Sequence, residues 1–303
     1  MKDFISIYDY SADQLRELLM LSTELKQLYK SGGRDWCLAG KTLAMLFEKP
    51  SLRTRISFHV AMTDLGGEAI YVKPEDIGGI GKRESIKDIA RVLSRYVKGI
   101  MARTFEHSAV IELAAFATVP VINALTDWSH PCQAMADVLT IQEHFGAIEG
   151  VKIAFIGDGN NVARSLAFAC GKLGMKIVIA SPPGYELDGE TLEKVNALGP
   201  GCARQTDNPR EAVANADVIY TDTWVSMGQE SERQKRLADF AGFGIDAKLV
   251  ASAPAGVRIM HCLPAYRGYE ITDEVAESAN SIMFDQAENR LHFQRALLKR
   301  LMS

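Results

Sequence analysis

The chain has 303 residues, and at roughly 150 residues per domain this length predicts about two domains. Hydrophobic residues make up 47% of the chain and charged residues 24%, a balance that excludes an intrinsically disordered protein. Lysine and arginine number 34 and aspartate and glutamate 38, which gives a net charge of −4. Because a duplex-binding protein usually carries a basic excess, we expect no nucleic-acid partner.

The chain begins without the apolar core of a secretory signal, and no apolar run reaches the roughly 18 residues of a membrane span. The cysteines are odd in number and scattered, with no C-x-x-C pair: Cys37, Cys132, Cys170, Cys202 and Cys262. This spacing argues against a disulfide framework and against a structural zinc site. We expect a cytoplasmic protein with no membrane contact, no metal and no cofactor.

Short apolar runs alternate with amphipathic segments along the whole chain. A first helix is predicted over Ala12–Tyr29, with Ser11 as its N-cap and Gly32 as its C-cap. The predicted strands are Thr42–Glu48, Ala69–Val72, Gly99–Arg103, Val119–Ala124, Val151–Ile156, Lys176–Ala180, Val218–Thr221, Arg258–Cys262 and Ser281–Phe284. Unbroken β-branched strands separated by helices are typical of parallel sheets covered on both faces, so an α/β fold is predicted.

A domain boundary is predicted near Phe145–Gly150, where a helix that starts at His130 ends and a strand begins. This divides the chain into residues 1–147 and 148–286, each with strands enough for its own doubly wound parallel sheet. The last segment, 287–303, is predicted to be a helix over Ala287–Leu301 that packs back on the first domain.

The segment Lys49–Arg55 lies directly between a predicted strand and a predicted helix. Its two arginines and two hydroxyls coincide with the free N–H groups of a helix start, which attract anions. It also follows the carboxyl end of a strand, where open α/β sheets bind ligands. We therefore favour an anion site over the alternative of an exposed N-cap with two solvated arginines.

A second polar cluster, His130–Gln133, again follows a strand and opens a helix, with Pro131 suited to the first helical turn. Arg103 adds a cation at the end of a third strand. In the second half, Gly157–Asn161 partly matches a dinucleotide fingerprint, but no acidic residue ends the next strand. A nicotinamide cofactor is therefore disfavoured.

Two further strand ends carry reactive side chains, in the segments Asp222–Gly228 and His261–Pro264. An aspartate close to a cysteine can orient an amine, although a free cysteine is more often a small buried hydrophobe. Together with Ser51–Arg55 and His130–Gln133, these segments resemble the successive signatures of the aspartate/ornithine carbamoyltransferase family. The last two segments resemble those of its ornithine-specific members.

The resemblance implies two doubly wound domains, a carbamoyl-phosphate-binding domain over 1–147 and an ornithine-binding domain over 148–286, with the active site in the cleft between them. It implies carbamoyl transfer from carbamoyl phosphate to the δ-amine of L-ornithine, giving L-citrulline and phosphate, without a cofactor. It also implies a homo-oligomer built on trimers. Arginine biosynthesis and the catabolic reverse reaction both remain open.

The resemblance also assigns residues. The catalytic residues would be Arg103, His130, Cys262 and Asp222. Carbamoyl phosphate would be bound by Ser51, Leu52, Arg53, Thr54, Lys82, Arg103, His130, Gln133, Cys262, Leu263 and Arg290. Ornithine would be bound by Asn161, Asp222, Ser226 and Met227.

The sequence departs from the family pattern at two positions. Leu52 stands where the family usually has threonine, which removes a hydroxyl but keeps the backbone N–H. Gly79 stands where a glutamine reaches the neighbouring subunit's site, so Lys82 or Arg83 would have to supply that contact. The alternatives are a carbamoyltransferase for N-acetylornithine, aspartate or putrescine, and a non-catalytic anion-binding regulatory subunit.

Overall fold

The structure is a computed structural model that describes residues 1–226 and 228–303, and of Ile77 the backbone alone. The chain forms two compact units, one of Met1–Leu139 with Glu288–Ser303 and one of Thr140–Ala287. Each unit holds one parallel sheet with flanking helices, so the predicted α/β class with two parallel sheets is confirmed. The carbamoyl-phosphate-binding domain over 1–147 and the ornithine-binding domain over 148–286 stay predictions. An active site in a cleft between them is likewise a prediction.

In the first unit, four parallel strands lie in the order β2-β1-β3-β4. They are β1 (Thr42–Phe47), β2 (Glu68–Val72), β3 (Gly99–Arg103) and β4 (Val121–Leu125). The helices are α1 (Ala12–Lys30), α2 (Leu52–Asp64), α3 (Pro74–Ile77), α4 (Ile86–Tyr96), α5 (His107–Phe116) and α6 (Pro131–Phe145). The central strands are apolar and buried, and Met45 of β1 pairs with Met101 of β3.

In the second unit, five parallel strands lie in the order β7-β6-β5-β8-β9. They are β5 (Lys152–Ile156), β6 (Lys176–Ala180), β7 (Ala203–Thr206), β8 (Val218–Thr221) and β9 (Arg258–His261). The helices are α7 (Asn161–Leu173), α8 (Gly189–Leu198), α9 (Pro209–Val213), α10 (Arg233–Asp239), α11 (Ala247–Val250), α12 (Asp273–Ala276) and the start of α13 (Met283–Met302), most of which belongs to the first unit. The boundary between the compact units falls within α6 and within α13.

The strand order reverses once in each sheet, and the polar motifs follow the strands on either side of the reversal. In the first sheet the reversal lies between β1 and β3, and in the second between β5 and β8. Side chains that follow these strands share one edge of the sheet, where open α/β sheets bind ligands. Among the helices of the described chain, none has both the length and the apolar character needed to cross a membrane.

The predicted strand Ser281–Phe284 is wrong. Ser281 makes only an isolated bridge to Ile259, and α13 already starts at Met283. A four-residue apolar run does not distinguish a strand from a buried helix start, and the helical periodicity that follows extends back into it. The predicted C-cap of α1 is also wrong, because Ser31 holds that position and Gly32 follows it with φ +82°.

Candidate active site

The start of α2 forms the core of the first polar site. Ser51 is its N-cap, and its Oγ accepts a hydrogen bond from the Thr54 backbone N–H at 3.3 Å. Thr54 is fully buried, whereas Leu52 is 75% exposed. Ser51 therefore satisfies one N–H of the first turn, and the helix dipole favours an anion at this end.

Three arginines and one histidine lie near this helix start within the first unit, and we call them the cation cluster: Arg53, Arg103, Arg290 and His130. Arg103 ends β3, His130 precedes α6 and Arg290 lies on α13, and all three are buried. Burial lowers the pKa of His130 well below its usual value, and the charges of Arg290, Arg103 and Arg53 lower it further. His130 is therefore neutral near pH 7, and the positive charge of this cation cluster comes from the guanidinium groups.

Arg290 joins three helices at the cluster. Its Nη1 donates to Gln133 Oε1 at 2.8 Å and its Nη2 donates to Thr54 Oγ1 at 2.8 Å. Gln133 Nε2 in turn donates to Asp137 Oδ1 at 2.8 Å. The structure thus brings together Ser51, Thr54, Gln133 and Arg290, and it adds Asp137, which the sequence argument missed. The spacing of four residues from Gln133 on one helix could have indicated Asp137.

Lys82 and Arg83 lie in an exposed loop between α3 and α4. Three glycines of this loop, Gly78, Gly79 and Gly81, have positive φ, a conformation that glycine adopts without strain. Lys82 is exposed, in contrast to the buried Arg103 and Arg290 of the cation cluster. Its predicted contact with carbamoyl phosphate stays a prediction.

The second polar site lies at the carboxyl ends of β5, β8 and β9, within the second unit. The Asp222 carboxylate accepts from Cys262 Sγ at 2.8 Å, from the Thr223 backbone N–H at 2.7 Å and from Asn160 Nδ2 at 2.8 Å. The predicted pairing of an aspartate with a cysteine is therefore present. We call Asp222, Cys262 and Asn160 the carboxylate site.

Asn160, the neighbour of the predicted Asn161, contacts Asp222. Asn160 is the N-cap of α7, and its side chain accepts from the backbone N–H groups of Val162 and Ala163. The N-cap preference for asparagine could have indicated it. Asn161 is the first residue of α7 and is partly buried, so its predicted role in ornithine binding remains a prediction.

Asp222, His261 and Cys262 offer ligand atoms within 4.8 Å of one another, the one such group among the described residues. Both ring nitrogens of His261 are already engaged: Nδ1 accepts from the Leu263 N–H at 2.8 Å, and Nε2 pairs with Glu270 at 3.2 Å. A metal ligated by His261 would have to displace one of these contacts. These contacts instead anchor the turn that carries Cys262 and Leu263.

The segment Asp222–Ser226 is held by an ion pair that sequence reasoning missed. Arg236 on α10 donates to Asp158 Oδ2 at 2.7 Å and to the Trp224 carbonyl oxygen at 3.0 Å, and both ion-pair side chains are largely buried. Burial raises the Asp158 pKa, and the Arg236 guanidinium opposes this rise. Ser226 ends this segment and is partly buried, whereas Met227, predicted to bind ornithine, lies outside the described residues.

Comparisons with known proteins identify the family of the chain. The model of the aspartate/ornithine carbamoyltransferase carbamoyl-P binding domain matches residues 2–143, and that of the Asp/Orn binding domain matches residues 149–301. The chain belongs to the aspartate/ornithine carbamoyltransferase family. It is therefore an enzyme, a transferase of carbamoyl groups, and the family resemblance of its motifs is confirmed.

The similar proteins match over nearly their full length. Ornithine carbamoyltransferase of Methanosarcina mazei is 51% identical over 301 residues, which cover 99% of each chain. The anabolic ornithine carbamoyltransferase of Pyrococcus furiosus is 49% identical over 304 residues, 99% of this chain and 96% of that protein. A solved structure of ornithine carbamoyltransferase from Pyrococcus furiosus has a TM-score of 0.96, with 99% of this chain and 97% of that chain covered.

Proposed function

We propose that the chain transfers the carbamoyl group of carbamoyl phosphate to the δ-amine of L-ornithine, giving L-citrulline and phosphate. The observation that carries this proposal is the buried cation cluster at the start of α2, where three guanidinium groups surround a neutral histidine. Full-length similarity to ornithine carbamoyltransferases supports the same reaction.

The phosphate group binds at the start of α2. Ser51, Arg53 and Thr54, with the backbone N–H groups of the first turn including that of Leu52, are the donors. Arginine grips phosphate with two parallel hydrogen bonds, and a helix N-terminus adds its dipole. Because this site stabilises phosphate, it also stabilises the leaving group as the C–O bond to phosphate breaks.

The carbamoyl group is held by Arg103, His130 and Gln133. As the δ-nitrogen forms its bond to the carbamoyl carbon, negative charge develops on the carbamoyl oxygen. Arg103 donates to this oxygen, and neutral His130 donates from the nitrogen that carries its proton. Preorganised donors of this kind typically contribute about 3–4 kcal/mol each to catalysis.

Ornithine is bound by Asn161, Asp222, Ser226 and Met227, and Cys262 with Leu263 adjoins the reacting carbon. A free alkyl amine like that of lysine has a pKa of about 10.4, and only its neutral form attacks. The Asp222 carboxylate accepts a hydrogen bond from the δ-ammonium group and orients it, and one proton leaves to solvent before the neutral amine attacks. The tetrahedral intermediate then collapses: phosphate departs with the bonding electrons and accepts the second proton from the δ-nitrogen, and citrulline remains.

The oligomeric state, the cellular location and a contact between subunits are part of the same proposal. The active enzyme is a homotrimer or a multiple of trimers, located in the cytoplasm, as the resemblance and the scattered free cysteines suggest. Lys82 or Arg83 of one subunit reaches the carbamoyl phosphate of its neighbour, in place of the glutamine that Gly79 replaces.

A substrate panel tests the function. Citrulline formation is measured with carbamoyl phosphate and L-ornithine, and carbamoyl transfer is measured to N-acetylornithine, aspartate and putrescine. We expect turnover with L-ornithine at least about 100-fold above the other amines, because a buried polar site rejects substrates that leave its groups unpaired. An Arg103→Met variant serves as the inactive control. Preferred turnover of another amine would overturn the substrate assignment, and no turnover with any of them would leave a binding protein.

A further inference from the structure

The side-chain amide of Gln133 is held from both ends. Gln133 is 1% exposed in the first turn of α6. Its Oε1 accepts from Arg290 Nη1 and its Nε2 donates to Asp137 Oδ1, each at 2.8 Å. Asp137 is fully buried and lies four residues further along α6, so both side chains share one face of the helix.

These two partners fix which way the amide points. A guanidinium group has donors only, and a carboxylate accepts only. Turning the amide by half a rotation would set its N–H groups against Arg290 and its oxygen against Asp137, losing both hydrogen bonds. Arg290 also donates to Thr54 in the cation cluster, so the fixed oxygen of Gln133 lies on the side of that cluster.

We infer that Asp137 is a positioning residue for substrate specificity. By holding Gln133 with its acceptor oxygen toward the cation cluster, it makes the site select an acyl phosphate whose acyl group carries N–H donors. A carbonyl oxygen has two lone pairs, and the bond from Arg290 uses one of them. The inference rests on the proposed function, since it takes the cation cluster to be the carbamoyl phosphate site.

Acetyl phosphate is the matched probe for this selection. It differs from carbamoyl phosphate by a methyl group in place of the NH₂ group, at nearly the same size. With the methyl group bound, the second lone pair of Gln133 Oε1 loses its partner in a buried site. We expect the wild-type enzyme to bind acetyl phosphate about 10- to 100-fold more weakly than carbamoyl phosphate.

The first test uses Asp137→Ala. The measurements are the KM for carbamoyl phosphate in citrulline formation and the Ki values of acetyl phosphate and inorganic phosphate against it. Without Asp137 the amide of Gln133 loses its second anchor, so we expect the preference for carbamoyl over acetyl phosphate to fall about 10-fold. The Ki of inorganic phosphate should not change, because phosphate has no acyl group to contact Gln133.

Asp64→Ala is the matched control. Asp64 also pairs with a buried partner in the same unit, Arg295 on α13. Its removal should lower the melting temperature and leave the acyl phosphate preference unchanged. This comparison separates a positioning role from a general loss of stability.

An exchange of the Gln133 amide and the Asp137 carboxylate provides the second test. Gln133→Glu alone sets two carboxylates against each other and should lose carbamoyl phosphate use. Gln133→Glu combined with Asp137→Asn keeps the shape and total charge, reverses the hydrogen bond, and still presents an acceptor oxygen toward Arg290. We expect the double variant to recover citrulline formation and the preference against acetyl phosphate.

The outcomes are decisive. An unchanged preference in a folded Asp137→Ala enzyme overturns the inference. If that variant does not fold, the exchange decides: recovery in the double variant supports the inference, and no recovery overturns it. Absence of citrulline formation by the wild-type enzyme would instead contradict the proposed function. Failure of the inference about Asp137 and failure of the proposed function are therefore distinguishable.

Discussion

His292 carries an acid-sensitive contribution to stability. Its side chain is 1% exposed on α13, where Nε2 contacts Glu288 at 3.0 Å and Nδ1 contacts Arg295 at 3.1 Å. Burial is the main cause that lowers its pKa to about 4; the Arg295 charge adds to this effect, and the bond to Glu288 opposes it. Since an unfolded histidine titrates near 6.5, the unfolded chain takes up this proton at a higher pH than the folded one.

Because the pKa of His292 is lower in the folded chain than in the unfolded chain, acidification destabilises the fold. The contribution of neutral His292 is fully present above about pH 6.5 and is lost as the pH falls toward about 4. Between about pH 7 and about pH 5 it amounts to about 2 kcal/mol of unfolding free energy. Denaturant unfolding of the wild type and of His292→Gln at both pH values checks this: the variant should lose less stability on acidification. His59→Gln, at an exposed position of α2, is the control, and equal losses in all three proteins would contradict the prediction.

Arg53 tests the phosphate site. In Arg53→Ala a charged hydrogen-bonding group is lost, so we expect the KM for carbamoyl phosphate to rise about 10- to 100-fold. Arg53→Lys should also be poor, because an ammonium group does not reproduce the planar fork of arginine. The control is Arg55→Ala on the same helix, since the Arg55 guanidinium lies over the Tyr71 ring at 4.1 Å. A near-native KM in either Arg53 variant would show that the phosphate binds elsewhere.

At the level of elements, the ion pair between Asp158 and Arg236 connects three parts of the second unit. Arg236 on α10 contacts the turn after β5 through Asp158 and the segment after β8 through the Trp224 carbonyl oxygen. We expect Arg236→Met to raise the KM for ornithine about 10-fold and to leave the KM for carbamoyl phosphate unchanged. It should also lower stability by about 3 kcal/mol, because it leaves a buried charge without its partner.

Two variants sharpen this prediction. Arg236→Met combined with Asp158→Leu should be more stable than Arg236→Met alone, since no buried charge is then left unpaired. Lys235→Ala, at the exposed neighbouring position of α10, should leave both KM values unchanged. Steady-state kinetics with each substrate varied in turn decide the matter. Equal changes in both KM values would indicate a global defect rather than a local one.

At the level of the whole molecule, we expect neighbouring subunits of the proposed trimer to share each active site. An Arg53→Ala chain is mixed with a Lys82→Ala/Arg83→Ala chain, and subunits are allowed to exchange. Each pure parent should be inactive, whereas a site with the intact residues of both chains should be active. Random mixing in trimers makes about one quarter of the sites intact, so about that share of wild-type activity should return. Verified exchange without recovery would exclude the shared site.

Some strands and helix ends could be predicted from the sequence and others could not, for physical reasons. β3 is fully buried and apolar up to Arg103 at its end because it lies in the middle of its sheet, and such strands are visible in the sequence. β7 (Ala203–Thr206) is a polar strand at the edge of its sheet, so the search for apolar runs misses it. Helix starts are equally local: Ser11 and Ser51 cap α1 and α2 through side chains that reach only three residues ahead.

The sequence by itself determined the alternation of apolar strands with helices and the motifs at strand ends, because these depend on contacts between near neighbours. The tertiary structure alone decided which of those groups meet. Arg290 reaches Thr54 across 236 residues, and Cys262 reaches Asp222 across 40. It also decided charge: His130 is neutral because folding buries it among Arg53, Arg103 and Arg290, and burial is a property of the packed chain rather than of any segment.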